Sequence, residues 1–148
     1  MSSHSGARIE KISDLLSLPR VTSTNDLLFA SVGTNNILKE SSSTLSKKFN
    51  NLINILKDRR TKPVLCCILP RKNCPPNWNS SARSWNDCLK VRCHQPGISF
   101  LKLWDTFDKD DKLYSRDGVH LSPKGKNRLA DAIEDFSIKF SRNFLVQN

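Results

Sequence analysis

The feature that most constrains the fold is a pair of short apolar runs separated by helical patterns. Leu27–Val32 is closed by Gly33, and Val64–Leu69 is closed by Pro70. Continuous apolar runs of this length are typical of strands that are covered on both faces, as they are in parallel sheets. We therefore predict two buried strands from these runs.

Helical patterns surround the two runs. One predicted helix precedes the first run, ends at Leu18-Pro19 and carries Ile9, Ile12, Leu15 and Leu16. The helix between the runs has capping residues within Ser41–Thr44, and its apolar stripe consists of Leu45, Phe49, Leu52, Ile53 and Leu56. Residues that recur at this spacing share one face of a helix, and Ser or Thr side chains cap its first turn.

The second half of the chain continues the alternation of helix and strand. Ser84–Asp87 resembles a capping box that opens a helix, which Pro96-Gly97 ends. Ile98–Trp104 partly alternates and predicts a strand nearer the sheet edge, and Asp105–Lys112 predicts a loop. In the last predicted helix Ser122 is the N-cap, Pro123 is the first residue, and the stripe consists of Leu129, Ala132, Ile133, Phe136 and Phe140.

Strands that alternate with helices at this spacing predict one three-layer α/β/α domain around a parallel sheet. The 148 residues are enough for a single domain with its own core. The longest apolar run, Val64–Leu69, is far shorter than the roughly 20 residues that a membrane-spanning helix needs. Met1–Gly6 lacks the features of a secretory leader, so we expect a cytoplasmic protein without a membrane span.

The chain is strongly basic, with 24 Lys and Arg against 14 Asp and Glu and a net charge of +10. This charge predicts weak, non-specific affinity for polyanions. The basic residues are scattered and are not interleaved with aromatic residues, so an ordinary solvated surface is the alternative. The five cysteines form no Cys-x-x-Cys pair, and we predict neither a metal nor a cofactor.

Asp117 and His120 are the main candidates for chemistry. A histidine exchanges protons near neutral pH, and a carboxylate on its other ring nitrogen fixes the tautomer and stabilises the imidazolium. Taken alone, an Asp-x-x-His pair is more often a loop in which Asp caps a turn and His is solvated than a catalytic pair. Gly33–Asn36 also follows a predicted strand, so both segments should face the crevice at the carboxyl ends of the sheet.

With Gly33–Asn36 and Asp117–His120 in this order on an alternating chain, the sequence resembles the SGNH (GDSL-type) hydrolase family of esterases and lipases. The resemblance implies a flavodoxin-like parallel sheet. In that family a Gly-Asp-Ser block is followed by an isolated Gly, a Gly-x-Asn-Asp block and a final Asp-x-x-His. Gly6 resembles the isolated glycine, and Gly33 and Asn35 fit the third block. Asn36 stands where the family usually has Asp.

The resemblance implies a role for each matched residue. His120 would be the base and then the acid of ester hydrolysis, and Asp117 would orient it. The Asn35 side chain and the Gly6 backbone N–H would stabilise the oxyanion. Without the resemblance, Asn35 reads as a turn or capping residue and Gly6 as a helix entry. The substrate would be a small-molecule, lipid or sugar ester.

The Gly-Asp-Ser block is absent from the chain. We assign no nucleophile, because Ser2, Ser3 and Ser5 do not follow a strand. Residues 1–148 are therefore expected to form one N-terminally incomplete SGNH-like domain with its core at about residues 6–140, and to be inactive alone. The Leu27–Val32 strand would then have an open edge that favours self-association.

An alternative function follows from the same resemblance. Domains similar to SGNH hydrolases also occur in proteins of non-LTR retrotransposons. The chain would then be a non-catalytic accessory domain, and its basic charge would suit weak RNA binding.

Overall fold

The computed structural model describes residues 27–31, 33–58 and 62–147. Its strands are β1 (Leu27–Ser31), β2 (Lys62–Cys66) and β3 (Ser99–Leu101). Its helices are α1 (Ser42–Lys57), α2 (Trp78–His94), α3 (Trp104–Asp108) and α4 (Pro123–Gln147), and a 3-10 turn covers Asp111–Leu113. The helix predicted around Ile9–Leu16, the end of the first run at Val32 and the candidate Gly6 lie outside the described residues.

The three strands form one parallel sheet in the order β1-β2-β3. Phe29 pairs with Val64, and Leu65 pairs with Phe100. Helix α1 connects β1 to β2 and α2 connects β2 to β3, as parallel neighbours require. The predicted parallel α/β architecture is confirmed. Among the described residues β1 is an outer strand of the sheet, and self-association through it stays a prediction.

Helix α1 supplies much of the core. All five residues of its predicted apolar stripe are buried, at 6% exposure or less. They cluster with Ala30 of β1, Leu65 of β2 and Ile68 just beyond β2. Burial of one such side chain stabilises a fold by about 1.5–3 kcal/mol, so this stripe fixes α1 against the sheet. Ser41 is the N-cap, because its Oγ accepts a hydrogen bond from Thr44 N at 3.2 Å.

Helix α2 begins at Trp78, so the predicted capping box at Ser84–Asp87 is wrong. Tertiary contacts explain the early start: Trp78 and Ala82 are buried on one face, and the Asn79 side chain is hydrogen-bonded to Arg71. The helix ends at His94, just before the predicted break at Pro96-Gly97.

The third strand is shorter than predicted. It covers only Ser99–Leu101, and the chain then turns into α3, where we had predicted a loop. Phe107 of α3 is fully buried beside Leu103, Leu113 and Tyr114, and this second apolar cluster holds the segment in helical turns. The prediction of a strand up to Trp104 and of a loop from Asp105 is therefore wrong.

Helix α4 begins as predicted. Pro123 is its first residue, and Ser122 Oγ accepts a hydrogen bond from Gly125 N at 3.1 Å. Its predicted stripe is half-buried, and Phe136 contacts Phe29 of β1 edge to face, with ring centroids 5.9 Å apart. Within the described part of the chain, no helix combines the length and the apolar character that crossing a membrane requires.

Candidate active site

The segment from Leu113 to Ser122, which we call the Asp-His loop, carries Asp117 and His120. Its ends are joined by an antiparallel bridge between Tyr114 and Leu121 and by a hydrogen bond from Ser122 N to Leu113 O at 2.9 Å. Ser115 N donates to His120 O at 2.8 Å inside this closure. The backbone therefore closes into a compact loop immediately before α4.

The Asp117 carboxylate is the electrostatic centre of the loop. His120 Nδ1 lies 2.5 Å from its Oδ2. Its Oδ1 accepts hydrogen bonds from Ser115 Oγ, Val119 N and His120 N at 2.8–2.9 Å. The hydrogen bond to the His120 ring, followed by the two backbone N–H groups and the Ser115 hydroxyl, holds the pKa of Asp117 far below its usual range. Asp117 is therefore ionised at neutral pH.

This contact orients the histidine ring. Because Nδ1 faces the carboxylate, it carries the proton of the neutral ring, and Nε2 is left as the acceptor. The His120 side chain is 70% exposed, so Nε2 can be reached by another group. The pair can take a proton from a hydroxyl and return it to a leaving group.

Gly118 joins the Asp-His loop to the segment after β2. Its carbonyl oxygen accepts from Lys72 N at 2.7 Å and from Asn73 N at 3.2 Å. Gly118 is buried with φ of +69°, and a Cβ there would lie 2.7 Å from Asn73 N. Only glycine fits this conformation and this close approach. Sequence reasoning gave Gly118 no role, although its place inside Asp-x-x-His was the available signal.

The Gly33–Glu40 turn follows β1. Gly33 has φ of +101°, and its carbonyl oxygen accepts from Asn36 N at 2.9 Å and from Ile37 N at 3.2 Å. Asn36 is fully buried, and its Nδ2 donates to Glu40 Oε2 at 3.0 Å. Asn35, the predicted oxyanion donor, is half-buried in the same turn. The Asn36 side chain thus stabilises the interior of the turn through this hydrogen bond.

Arg71 connects the two halves of the site, and sequence reasoning missed it. Its Nη2 donates to Thr34 O, beside Asn35, at 3.2 Å, while the next two residues hold Gly118. The guanidinium lies 4.4 Å from the centroid of the Trp78 ring. Burial lowers the pKa of Arg71, which stays a cation at neutral pH. The Gly33–Glu40 turn and the Asp-His loop therefore flank one segment at the carboxyl end of the sheet.

Two asparagines of α2 hold that segment in place. Asn86 bonds to both the N–H and the carbonyl oxygen of Ile68, at 2.7 and 2.8 Å. Asn79 does the same to Arg71, at 2.9 and 2.8 Å. The two asparagines are two helical turns apart, so one face of α2 positions residues 68–71. Among the described residues, no group of three His, Cys, Asp or Glu side chains could hold a metal ion.

Comparison with models of protein families shows which family the chain belongs to. Residues 2–128 match the model of the GDSL-like lipase/acylhydrolase family. The chain belongs to this family. The prediction of an SGNH (GDSL-type) hydrolase from Gly33–Asn36 and Asp117–His120 is thereby confirmed. No match was found among curated proteins.

Several solved structures share the fold. A candidate platelet activating factor from Streptococcus pneumonia matches with a TM-score of 0.71 at 22% identity, over 89% of this chain and 69% of its own. A candidate SGNH hydrolase from Slackia heliotrinireducens gives 0.65 at 16% identity, over 88% and 79%. The esterase domain of the ZfL2-1 ORF1 protein from the zebrafish ZfL2-1 retrotransposon gives 0.60 at 27% identity, over 71% and 68%.

Proposed function

We propose that Asp117 and His120 are the acid–base pair of a serine-type ester hydrolase. The observation that carries this proposal is the 2.5 Å contact between His120 Nδ1 and Asp117 Oδ2, which leaves Nε2 as the proton acceptor. The ionised carboxylate stabilises the imidazolium that forms when Nε2 takes a proton. This is the arrangement that activation of a hydroxyl nucleophile needs.

The proposed reaction has two halves. His120 Nε2 takes the proton of a serine hydroxyl as the serine oxygen attacks the ester carbonyl carbon, and the oxyanion accepts hydrogen bonds from the Asn35 amide and the Gly6 N–H. His120 then protonates the leaving alcohol. A water molecule, deprotonated by the same nitrogen, hydrolyses the acyl-serine. Each oxyanion donor contributes roughly 100- to 1,000-fold in rate.

The serine of this reaction is not among the matched motifs, since the chain contains no Gly-Asp-Ser. We propose that these 148 residues alone do not form an acyl-enzyme, and that a segment carrying Gly-Asp-Ser completes the site. The proposed substrate is a small-molecule, lipid or sugar ester, since the acid–base pair contacts only the reacting atoms that all these esters share.

A fluorophosphonate probe tests the missing nucleophile. The 148-residue chain should remain unlabelled, whereas a longer chain with an in-frame Gly-Asp-Ser segment should be labelled. In the longer chain, His120→Gln should slow labelling by about 100-fold or more, because the serine then has no base. Labelling of a serine in the 148-residue chain would show that the nucleophile lies within it.

The acid–base pair can be tested separately in the 148-residue chain. The ¹⁵N chemical shifts of His120 should report a proton on Nδ1 and none on Nε2 when the ring is neutral. Asp117→Asn should abolish this preference, and Asp135→Asn, an exposed change on α4, should preserve it. A neutral His120 that carries its proton on Nε2 would contradict the proposed role.

A second candidate function is that of a non-catalytic accessory domain with affinity for RNA. The net charge of +10 favours the affinity for RNA, and the similarity at 27% identity to a domain of a retrotransposon protein favours a role in such a protein. Such binding should weaken steeply as salt is raised, because cations on the protein release counterions from the phosphates. An electrophoretic mobility assay with single-stranded RNA at two salt concentrations measures this, and the absence of a complex at low salt excludes it.

A further inference from the structure

A concavity lies between α2 and the segment that runs from β3 into α3. Its volume is about 430 Å³, which is within the usual range for small-molecule sites. We call it the α2–α3 cleft. Arg83, Asp87 and Lys90 of α2 line one wall, and Lys102 and Trp104 line the other. No residue of the Asp-His loop lines it, so it is distinct from the candidate active site.

Three cations surround the α2–α3 cleft. Arg83, Lys90 and Lys102 line it together with two carboxylates, Asp87 and Asp105. None of the three cations forms an ion pair with a carboxylate in the part of the chain that the structure describes. Their charges are therefore available to a bound anion.

The two lysines approach each other across the cleft. Lys90 lies close enough to Lys102 to lower its pKa, through a direct side-chain contact and through charge repulsion. A like charge held this close disfavours the ammonium form of Lys102. An anion that binds between them would replace the repulsion with two attractions.

The ring of Trp104 also lines the cleft. The Arg83 guanidinium carbon lies 5.8 Å from the centroid of that ring, so a cation and an aromatic face meet at one point. Phe100 and Leu103 add apolar surface beside them. A ligand with an aromatic or apolar body can pack on this surface while its charged group lies near the cations.

We propose that the α2–α3 cleft binds a small phosphomonoester with an apolar or aromatic body. Its phosphate lies between Lys90 and Lys102, and its body packs on Phe100, Leu103 and the ring of Trp104. A phosphomonoester fits because it carries nearly two negative charges at neutral pH and three acceptor oxygens. A carboxylate carries one charge and fewer acceptor oxygens, so it would interact less strongly with the cations of the cleft.

Phenyl phosphate is the test ligand, and the three tryptophan indole N–H signals of the ¹H–¹⁵N spectrum are the readout. The Trp104 signal, assigned with Trp104→Phe, should shift saturably with a Kd of about 1 mM or tighter, while the signals of Trp78 and Trp85 stay in place. Inorganic phosphate should shift the same signal with weaker affinity, because it has no body to pack on Phe100. Phenol should not shift it, because it carries no phosphate.

A matched pair of double variants separates this cleft from general charge attraction. Lys90→Gln with Lys102→Gln should weaken phenyl phosphate binding about tenfold or more, since both cations are lost. Lys57→Gln with Lys139→Gln removes the same charge from exposed positions outside the cleft and should leave the affinity unchanged. Absence of a saturable Trp104 shift, or equal losses in both variants, overturns the proposal. Tighter binding of phenol or of a single-stranded RNA oligomer overturns the assigned ligand class.

Discussion

The Asp-His loop and the Gly33–Glu40 turn lie on either side of Arg71, but they are built in opposite ways. In the loop the backbone makes the closing contacts, and the side chains of Asp117 and His120 are 49% and 70% exposed. In the turn the side chain of Asn36 is fully buried and bonded to Glu40. The His120 ring of the loop is thus exposed to a reacting group, whereas the Asn36 side chain of the turn is used to hold the fold.

The largest effect should come from breaking the backbone frame of the loop. Gly118→Ala places a Cβ against the backbone of Asn73 at a positive φ, so we expect a loss of about 3 kcal/mol or more in the free energy of unfolding. Gly97→Ala is the matched control, because Gly97 has φ of +75° and open space around its Cβ position. It should cost about 1 kcal/mol. Equal losses in urea unfolding would mean that the contact with Asn73 does not hold the loop.

A second change tests the interior of the turn. Asn36→Asp introduces the residue type that the family usually has, but here it faces the Glu40 carboxylate. We expect a loss of about 2 kcal/mol at pH 7, because the hydrogen bond is lost and two carboxylates meet in a buried position.

This loss should depend on pH. Burial and the Glu40 charge raise the pKa of the introduced carboxyl in the folded state. The variant therefore regains stability as pH falls through this raised pKa, and the gain is complete at the unfolded pKa of about 4. Asn50→Asp adds the same charge at an exposed position of α1 and should show neither effect. Urea unfolding at pH 7 and pH 3 measures both variants. A loss that is the same at both pH values would exclude charge repulsion as its cause.

The smallest effect should come from the exposed carboxylate of the loop. Because its neighbours lower the pKa of Asp117 in the folded state, its contribution to stability is present above the unfolded pKa of about 3.9 and is lost as pH falls below it. Asp117→Asn should therefore lower the urea midpoint slightly at pH 7, and the difference should narrow below about pH 4. Asp135→Asn serves as the control. A larger effect for Asp117→Asn than for Asn36→Asp would reverse the contrast between the two regions.

The parts of the fold that the sequence predicts are those set by local patterns. The α1 stripe and the Ser122-Pro123 start of α4 follow from spacing and capping, and both are present. The start of α2 was missed because Asn79–Ser81 is polar and reads as a loop. Its helical conformation depends on Trp78 in the core and on Asn79 bonded to Arg71, contacts that no local window contains.

The candidate site also contains one part that local sequence patterns predict and another that depends on contacts between distant residues. The contact between Asp117 and His120 joins residues three apart in sequence, so the motif predicts it. The roles of Arg71 and Gly118 depend on partners 37 and about 45 residues away. The sequence therefore gives no sign of the role of Arg71, and it marks Gly118 only by its place inside Asp-x-x-His. The proposed part of Asn35 in the reaction rests on the family resemblance and on its place beside Thr34.

The asparagines of α2 have a consequence for how this family member can change over evolutionary time. In a sheet, peptide groups are normally paired by a neighbouring strand, but Ile68 and Arg71 are paired by the amides of Asn86 and Asn79. The side-chain amides of two residues therefore make the hydrogen bonds that a short neighbouring strand would otherwise make. Substitutions at the junction after β3 would leave Arg71 in position during evolution. Replacement of Asn79 or Asn86 would leave Arg71 or Ile68 without these hydrogen bonds, unless another backbone segment replaced them.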